Sequence, residues 1–298
     1  MSRLKVGARC GYCLIHRGYN IIKRSTDDPE KQLQAMTELL QMMGENFTAN
    51  IVPSYIGADR DRIIKRITGC PDAYAEMKKD ANLMALEMLP RLRKLLDEVS
   101  EDERFRMAFL ISCLGNVIEY DVPGHSSDID EALKLLDDGF CVDDTDELKG
   151  LLGEGIHVLF LTDNAGEIVF DRLTVQELHR LGCMVTVAVK GGPSLNDALM
   201  EDAVASGMTA EADYVITTGS DCIGVQLDIS SEEFREVFYS ADVIIAKGMA
   251  NWETLTEVPA PSPLLYLLRS KCEPVADTVG VPLHSSVAKL VPIGWHLV

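Results

Sequence analysis

The sequence contains no apolar run near the ~20 residues that a helix needs to cross a bilayer. Its start, MSRLKVGARCGYC, lacks the apolar stretch of a secretory signal peptide. Basic residues are also scarce, since 28 Lys and Arg stand against 47 Asp and Glu, and the net charge is -19. This charge disfavours binding to nucleic acid or to an anionic membrane, because both need Lys and Arg to neutralise phosphate. We therefore expect a cytoplasmic protein that binds neither nucleic acids nor membranes.

Two nucleotide-binding motifs are also missing. No GxGxxG follows the first apolar run of the α/β pattern described below, and GxxxxGK[ST] does not occur. The dinucleotide-binding and P-loop classes therefore lose support.

Cysteines are present but form no disulfide framework. Eight are spread along a 298-residue chain, which in a reducing compartment predicts mostly buried thiols. Only Cys10 and Cys13 have a suggestive spacing, and Cys272 is a candidate third thiol. The pair fits a labile metal site, a redox pair or two packed thiols.

The first half of the chain has a helical pattern. Residues 1–150 are predicted to form a mainly helical N-terminal domain, because apolar residues recur there at helical spacing. One helix is predicted to begin within Thr26-Asp27-Asp28-Pro29. Pro90 predicts a break or kink in another helix, and a third, buried helix is predicted over 104–120.

The second half, residues 151–298, has an α/β pattern. Short apolar runs, rich in leucine or β-branched residues, mostly alternate with helical stretches; they occupy residues 157–161, 184–189, 214–217, 242–246 and 264–268. This alternation predicts a mainly parallel sheet with crossover helices, and runs that are apolar throughout predict burial on both faces. We therefore expect a Rossmann-like domain of three layers, α/β/α.

Polar residues follow these runs at the edge of the sheet where such folds bind ligands. Asp163 and Asn164 follow the first run, and Asp197 follows the second. They offer only oxygen ligands, which suits Mg²⁺, Mn²⁺ or a related ion. Lys190 and Lys247 directly follow the second and fourth runs and could hold phosphoryl oxygens. Together they predict a site for a divalent metal and a phosphate.

Each of these residues, taken alone, also has a structural explanation. Such a residue can cap a helix, act as a first-turn acid that suits the helix dipole, form a turn or pack in a loop. These alternatives apply to Asp163, Asn164, Glu167, Lys190, Asp197 and Asn251. The functional interpretation is favoured because the residues occur together at one edge of one sheet.

The same segments resemble a known family. TDNAGE, VKGGPSLNDA and AKGMANWE, in this order, resemble the metal-dependent damage-control phosphatases. That family is also called domain of unknown function eighty-nine and includes the acidic-residue methyltransferase-like proteins. ARCGYCLIHR, TGCPDAYAEMKKDAN, LGNVIEY and RSKCEPVADTVGV resemble further motifs of its stand-alone microbial and archaeal branch. The resemblance covers nearly the whole chain and implies a helical domain joined to a Rossmann-like one.

The resemblance also implies roles for single residues. It implies a phosphate-ester hydrolase that uses Mn²⁺, Ni²⁺, Co²⁺ or Mg²⁺. Its implied metal ligands are Asp163, Asn164 and Asp197, and its implied phosphate contacts are Lys247 and Asn251, with Asn116 reaching the substrate from the helical half and Glu167 matching the motif by position.

The leading hypothesis is a metal-dependent phosphatase of small phosphorylated metabolites, such as sugar phosphates or phosphopantetheine derivatives. Asp163, Asp197 and Lys247 are its predicted catalytic residues, and Lys190 is a further phosphate contact. An S-adenosylmethionine-dependent carboxyl methyltransferase is the alternative from another reaction class, and the missing glycine-rich cofactor loop argues against it. A non-catalytic binder of metal and phosphometabolite is the third hypothesis. The sequence carries no signal for an oligomeric state.

Overall fold

A computed structural model describes residues 4–115 and 136–297 of the chain. Its helices are α1 Ala8–Ser25, α2 Pro29–Asn46, α3 Pro53–Thr68, α4 Ala75–Glu98, α5 Glu101–Leu114, α6 Thr145–Lys149, α7 Glu167–Arg180, α8 Met200–Ser206, α9 Met208–Glu211, α10 Glu232–Ser240, α11 Gly248–Leu255 and α12 Glu273–Val279. Its strands are β1 Val142–Asp143, β2 His157–Leu161, β3 Met184–Val189, β4 Tyr214–Thr217, β5 Val243–Lys247, β6 Leu264–Arg269 and β7 Ser286–Val291.

The strands form one sheet in the order β1-β7-β6-β5-β2-β3-β4. Strands β2 to β6 are parallel, whereas β7 runs antiparallel to β6 and pairs in parallel with β1. The chain moves outward from β2 to β4 and then returns to the other side of β2 with β5. The strand order therefore reverses between β2 and β5, which is where open α/β sheets bind ligands.

Helices cover both faces of this sheet. Along β2, Leu159 and Leu161 pack on one face with Phe234 of α10 and Trp252 of α11. Val158 and Phe160 pack on the opposite face with residues of α5 and α7. Successive strand side chains point to opposite faces, so an entirely apolar strand must be covered twice. The predicted three-layer, mainly parallel α/β fold is confirmed.

The helical half joins the sheet through α4 and α5, which pack with α7 in a continuous apolar cluster. The predicted start of α2 is confirmed, since Asp28 caps it by accepting from the backbone amides of Glu30 and Lys31, and Pro29 is its first residue. Of the predicted break or kink at Pro90, the break is wrong, because α4 continues through this residue; the kink stays a prediction. Leu89 and Leu92 are buried against this cluster, and that packing offsets the missing proline N–H.

The five predicted strands are confirmed to within one residue of their bounds, but β1 and β7 were missed. The β7 segment SVAKLV contains a half-buried Lys289, so it does not read as a strand buried on both faces. β1 belongs to the sheet although it precedes residue 150, and the division of the chain near that residue stays a prediction. In the ranges described, no helix combines the length and apolarity needed to span a membrane.

Candidate functional site

Backbone hydrogen bonds join the two loops that follow β2 and β3. The Ala198 amide donates to the Asp163 carbonyl over 2.8 Å, and the Ala165 amide donates to the Asn196 carbonyl over 2.9 Å. Asn164 and Asp197 form an antiparallel bridge between these loops. Asn164 and Asp197, 33 positions apart in the chain, are thereby held side by side at the carboxyl edge of the sheet. The predicted set of Asp163, Asn164 and Asp197 is thus brought together.

Lys247 ends β5, and its side chain is fully buried, with 0% exposed. Its ammonium donates to Glu167 Oε1 over 2.5 Å, to Asp171 Oδ1 over 2.6 Å and to the Ser112 carbonyl over 3.2 Å. The Ser112 hydroxyl also donates to Asp171 Oδ1, over 2.5 Å. We call Ser112, Glu167, Asp171 and Lys247 the buried ion cluster. It links β5, α5 and the start of α7.

Opposite charges decide the ionisation of this cluster. Burial alone would lower the pKa of Lys247, but Asp171 and Glu167 outweigh it and hold that pKa above its ordinary value. Burial raises the pKa of Asp171, and the Lys247 charge opposes this rise. An ammonium without water must have ionic partners, and here two carboxylates one helical turn apart on α7 supply them.

The ion cluster orients Asn164. The Asn164 amide nitrogen donates to Glu167 Oε2 over 3.3 Å and to Asp163 Oδ2 over 3.2 Å. Two carboxylates thus hold the nitrogen, which leaves the amide oxygen of Asn164 as its candidate metal ligand. The side chain is buried, so this orientation is fixed by its neighbours.

Gly248 opens the space that the Asp163 carboxylate occupies. It begins α11 with φ of +79°, and an added Cβ would lie 2.0 Å from Asp163 Oδ2. Only glycine fits such a position, for both its backbone and its missing side chain. The donors beside it are oxygens of two carboxylates and an amide, which suits a hard divalent cation. The residues present therefore fit the metal that the family resemblance implies.

Lys190 and Asn251 make protein contacts in this structure. The Lys190 ammonium donates to the Gly224 carbonyl and lies 3.5 Å from Asp197 Oδ2. The Asn251 amide nitrogen donates to the Lys247 carbonyl over 2.8 Å. Lys190, Lys247 and Asn251 are all absent from the cleft wall as far as the described residues define it. Their predicted contact with phosphate stays a prediction.

A cleft of about 370 Å³ opens beside Asp163, Asn164 and Asp197. Helices α1 and α3 of the helical half form its opposite wall with Arg17, Gly57 and Arg60. Its volume lies in the range of small-molecule sites. Titratable residues that the sequence analysis missed also line it: Arg9, Arg17, Arg60, Glu253, Lys271 and His284.

The three predicted thiols Cys10, Cys13 and Cys272 line this same cleft. Burial, reinforced by the charge of nearby Glu253, raises the pKa of Cys272 to about 12, and burial also raises the pKa of Cys10. Across residues 4–115 and 136–297, no group of three or more His, Cys, Asp or Glu side chains is arranged to hold a metal ion. A metal or redox role for the three cysteines stays a prediction.

The predicted substrate contact Asn116 lies outside the described residues.

Two sequence signals could have identified the missed residues Asp171 and Arg60. Asp171 stands four positions after Glu167 and hence on the same face of α7. Arg60 falls between Ile56 and Ile64 on the buried stripe of α3. A charge in such a stripe is unusual and points to a specific contact.

The chain has a mainly parallel α/β sheet, a cluster of oxygen ligands where the strand order reverses, and a helical half that faces this cluster. Its class is therefore an α/β protein with a candidate metal site at the edge of the sheet. The family model for the damage-control phosphatase ARMT1-like domain matches residues 6–287. The chain belongs to this family.

Relatives match this chain in sequence along nearly the whole of their own length. The damage-control phosphatase of Archaeoglobus fulgidus is 35% identical over 97% of this chain and 100% of its own. The damage-control phosphatase PH1575 of Pyrococcus horikoshii is 32% identical over 94% of this chain and 96% of its own. The crystal structure of that organism's DUF89 family protein superposes with a TM-score of 0.85 at 31% identity, covering 95% of this chain and 98% of the solved one.

Replacing Gly248 with alanine tests the space around Asp163. Gly69→Ala is the matched control, because Gly69 also has a positive φ, +76°, but nothing lies within 4 Å of its added Cβ. Both variants should lose about 1–2 kcal/mol of unfolding free energy from the left-handed backbone. Only Gly248→Ala should also lose Mn²⁺ affinity, by about 10-fold or more. Calorimetric titration measures the affinity, and equal Mn²⁺ binding by the two variants would contradict the assignment.

Replacing Lys247 with methionine tests the buried ion cluster. We expect the free energy of unfolding to fall by about 3–5 kcal/mol, because two buried carboxylates lose their counter-ion. Lys94→Met is the control, since Lys94 is 78% exposed on α4 and should change stability by less than about 0.5 kcal/mol. Chemical denaturation gives both values. Equal stability of the two variants would show that the cluster is not held by charge.

Proposed function

We propose that this protein is a divalent-metal-dependent phosphomonoester hydrolase that acts on small phosphorylated metabolites. The observation that carries the proposal is the pairing of the loops after β2 and β3, which places Asp163, Asn164 and Asp197 together on the wall of the cleft. The relatives named damage-control phosphatase support the reaction class. The cleft volume of about 370 Å³ supports a small substrate.

In this proposal Asp163, Asn164 and Asp197 hold the cation, which we expect to be Mn²⁺, Ni²⁺, Co²⁺ or Mg²⁺. When bound, such a cation supplies Lewis-acid polarisation of a phosphoryl group. Asp197, whose Oδ2 lies 3.5 Å from the Lys190 ammonium, is the proposed general base that accepts a proton from an attacking water. The side chains are fixed before substrate binds, so little reorganisation is needed during the reaction.

The lysines act in this proposal through their carboxylate partners. Lys247 fixes Glu167, which in turn orients Asn164. Lys190 lies 3.5 Å from Asp197 Oδ2. The phosphate contacts that the sequence analysis predicts for the two lysines stay predictions. The methyltransferase hypothesis gains no support, because Thr162-Asp163-Asn164 follows β2 where a glycine-rich cofactor loop would be needed.

The proposal is tested by p-nitrophenyl phosphate hydrolysis with metal-stripped protein, to which Mg²⁺, Mn²⁺, Co²⁺ and Ni²⁺ are returned singly. At least one metal should restore turnover in the wild type. Asp163→Ala should lose at least about 100-fold, since even outer-shell changes at metal sites cost 10–100-fold. Asp80→Ala is the control, because Asp80 is exposed on α4, and it should match the wild type. Equal turnover in Asp163→Ala would contradict the site, and no turnover with any metal would leave the binder hypothesis.

A further inference from the structure

One guanidinium in the cleft wall has a hydrogen-bond donor without an acceptor. Arg60 is 1% exposed, and its Nε donates to Asp61 Oδ1 over 2.7 Å. Its Nη2 is buried and has no hydrogen-bond partner within the part of the chain that the structure describes. Leaving a charged donor buried and unbonded is unfavourable. Since Arg60 lines the cleft, an acceptor that enters the cleft would satisfy it.

The helical half is built to hold this side chain in place. An added Cβ on Gly18 of α1 would lie 2.4 Å from Leu39 Cδ2 and 3.3 Å from Arg60 Cδ. The missing side chain therefore lets the Arg60 stem pass between α1 and the body of the helical half. Arg60 is fixed by packing, and it faces a cleft whose other wall carries Asp163 and Asp197.

The charges of the cleft wall differ from those of the chain. Among the described residues, the cationic side chains of Arg9, Arg17, Arg60 and Lys271 line it beside the carboxylates of Asp163, Asp197 and Glu253. Two of these cations have a carboxylate partner outside the wall, since Glu273 pairs with Arg9 and Asp61 with Arg60. The whole chain carries a net charge of -19. The metal ligands at the sheet edge and the buried Nη2 donor of Arg60 on the facing wall therefore offer two separate places for anionic groups.

We propose that the substrate is a phosphomonoester with a second anionic group, a carboxylate or another phosphate, and that Arg60 donates to this group through Nη2. Arginine is suited to such recognition because its planar donors match carboxylate and phosphate oxygens. The inference rests on the proposed phosphatase function and adds a substrate class to it. It assigns the phosphate to be cleaved to the sheet edge and the second anion to α3.

The test uses pairs of phosphomonoesters that differ in the second anion. Glucose 6-phosphate is compared with 6-phosphogluconate for a carboxylate, and fructose 6-phosphate with fructose 1,6-bisphosphate for a phosphate. In the wild type, kcat/KM for at least one compound with a second anionic group should exceed that of its partner by about 10- to 100-fold, the worth of a hydrogen bond to a charged group. The two pairs show which anion the cleft prefers.

Variants assign the preference to Arg60. Arg60→Gln should lower the ratio of kcat/KM values toward one, and so should Arg60→Gln/Asp61→Asn, which leaves no unpaired carboxylate. Arg66→Gln is the control on the same helix, since Arg66 is 61% exposed, pairs with Glu38 and is not in the described cleft wall. It should keep the wild-type ratio. Thermal unfolding, and turnover of the compound that lacks the second anionic group, report whether each variant is folded.

Two results would overturn the inference and are distinct from failure of the phosphatase proposal. If all four compounds are turned over with kcat/KM ratios near one, the proposed second anionic group is contradicted, whereas the phosphatase proposal stands. If the wild-type ratio is unchanged in Arg60→Gln, the proposed role of Arg60 is contradicted. If no compound is turned over, calorimetric binding of 6-phosphogluconate and glucose 6-phosphate to wild type and Arg60→Gln decides instead. Equal affinities would then overturn the inference, and an Arg60-dependent preference would support it.

Discussion

The arrangement of the site depends on the neutralisation of one buried charge. The Lys247 ammonium has no access to solvent and is surrounded by Glu167, Asp171 and the Ser112 carbonyl. These partners come from α7 and α5, so the charge can be satisfied only if both helices dock in one position on the end of β5. Glu167 also holds the Asn164 amide. Because Glu167 binds both Lys247 and Asn164, the contact that docks α7 also orients a candidate metal ligand.

A second constraint completes the site. The loops after β2 and β3 are hydrogen-bonded to each other, and this pairing brings Asp197 to Asn164. Gly248, at the start of α11, leaves room for the Asp163 carboxylate. Three strand ends therefore contribute to one small volume. The site is formed by backbone pairing and buried charges of the sheet edge, whereas α1 and α3 supply the facing wall of the cleft. This division suits fixed chemistry on one side and substrate recognition on the other.

The sequence predicted the elements of the sheet better than the contacts of its side chains. Runs such as HVLFL are buried on both faces, so their apolar composition alone identifies them as strands. β7 and β1 were missed because β7 contains Lys289 and β1 has only two residues. Asp163, Asn164 and Asp197 could be grouped because strand ends of a parallel sheet share one edge. Lys247 could be placed at that edge, but its meeting with Asp171 depends on the docking of α7. The cleft contact of Arg60 depends on how α1 crosses α3, which local patterns do not encode.

The central claim is that the sheet edge, and not the thiol-bearing wall of the cleft, binds the metal. Anomalous scattering from crystals soaked in Mn²⁺ and inorganic phosphate tests it most directly. The account predicts a manganese peak at coordination distance, about 2.1 Å, from oxygens of Asp163, Asn164 and Asp197, with phosphate on its cleft side. A peak beside Cys10, Cys13 and Cys272, with none near Asp163, would contradict it.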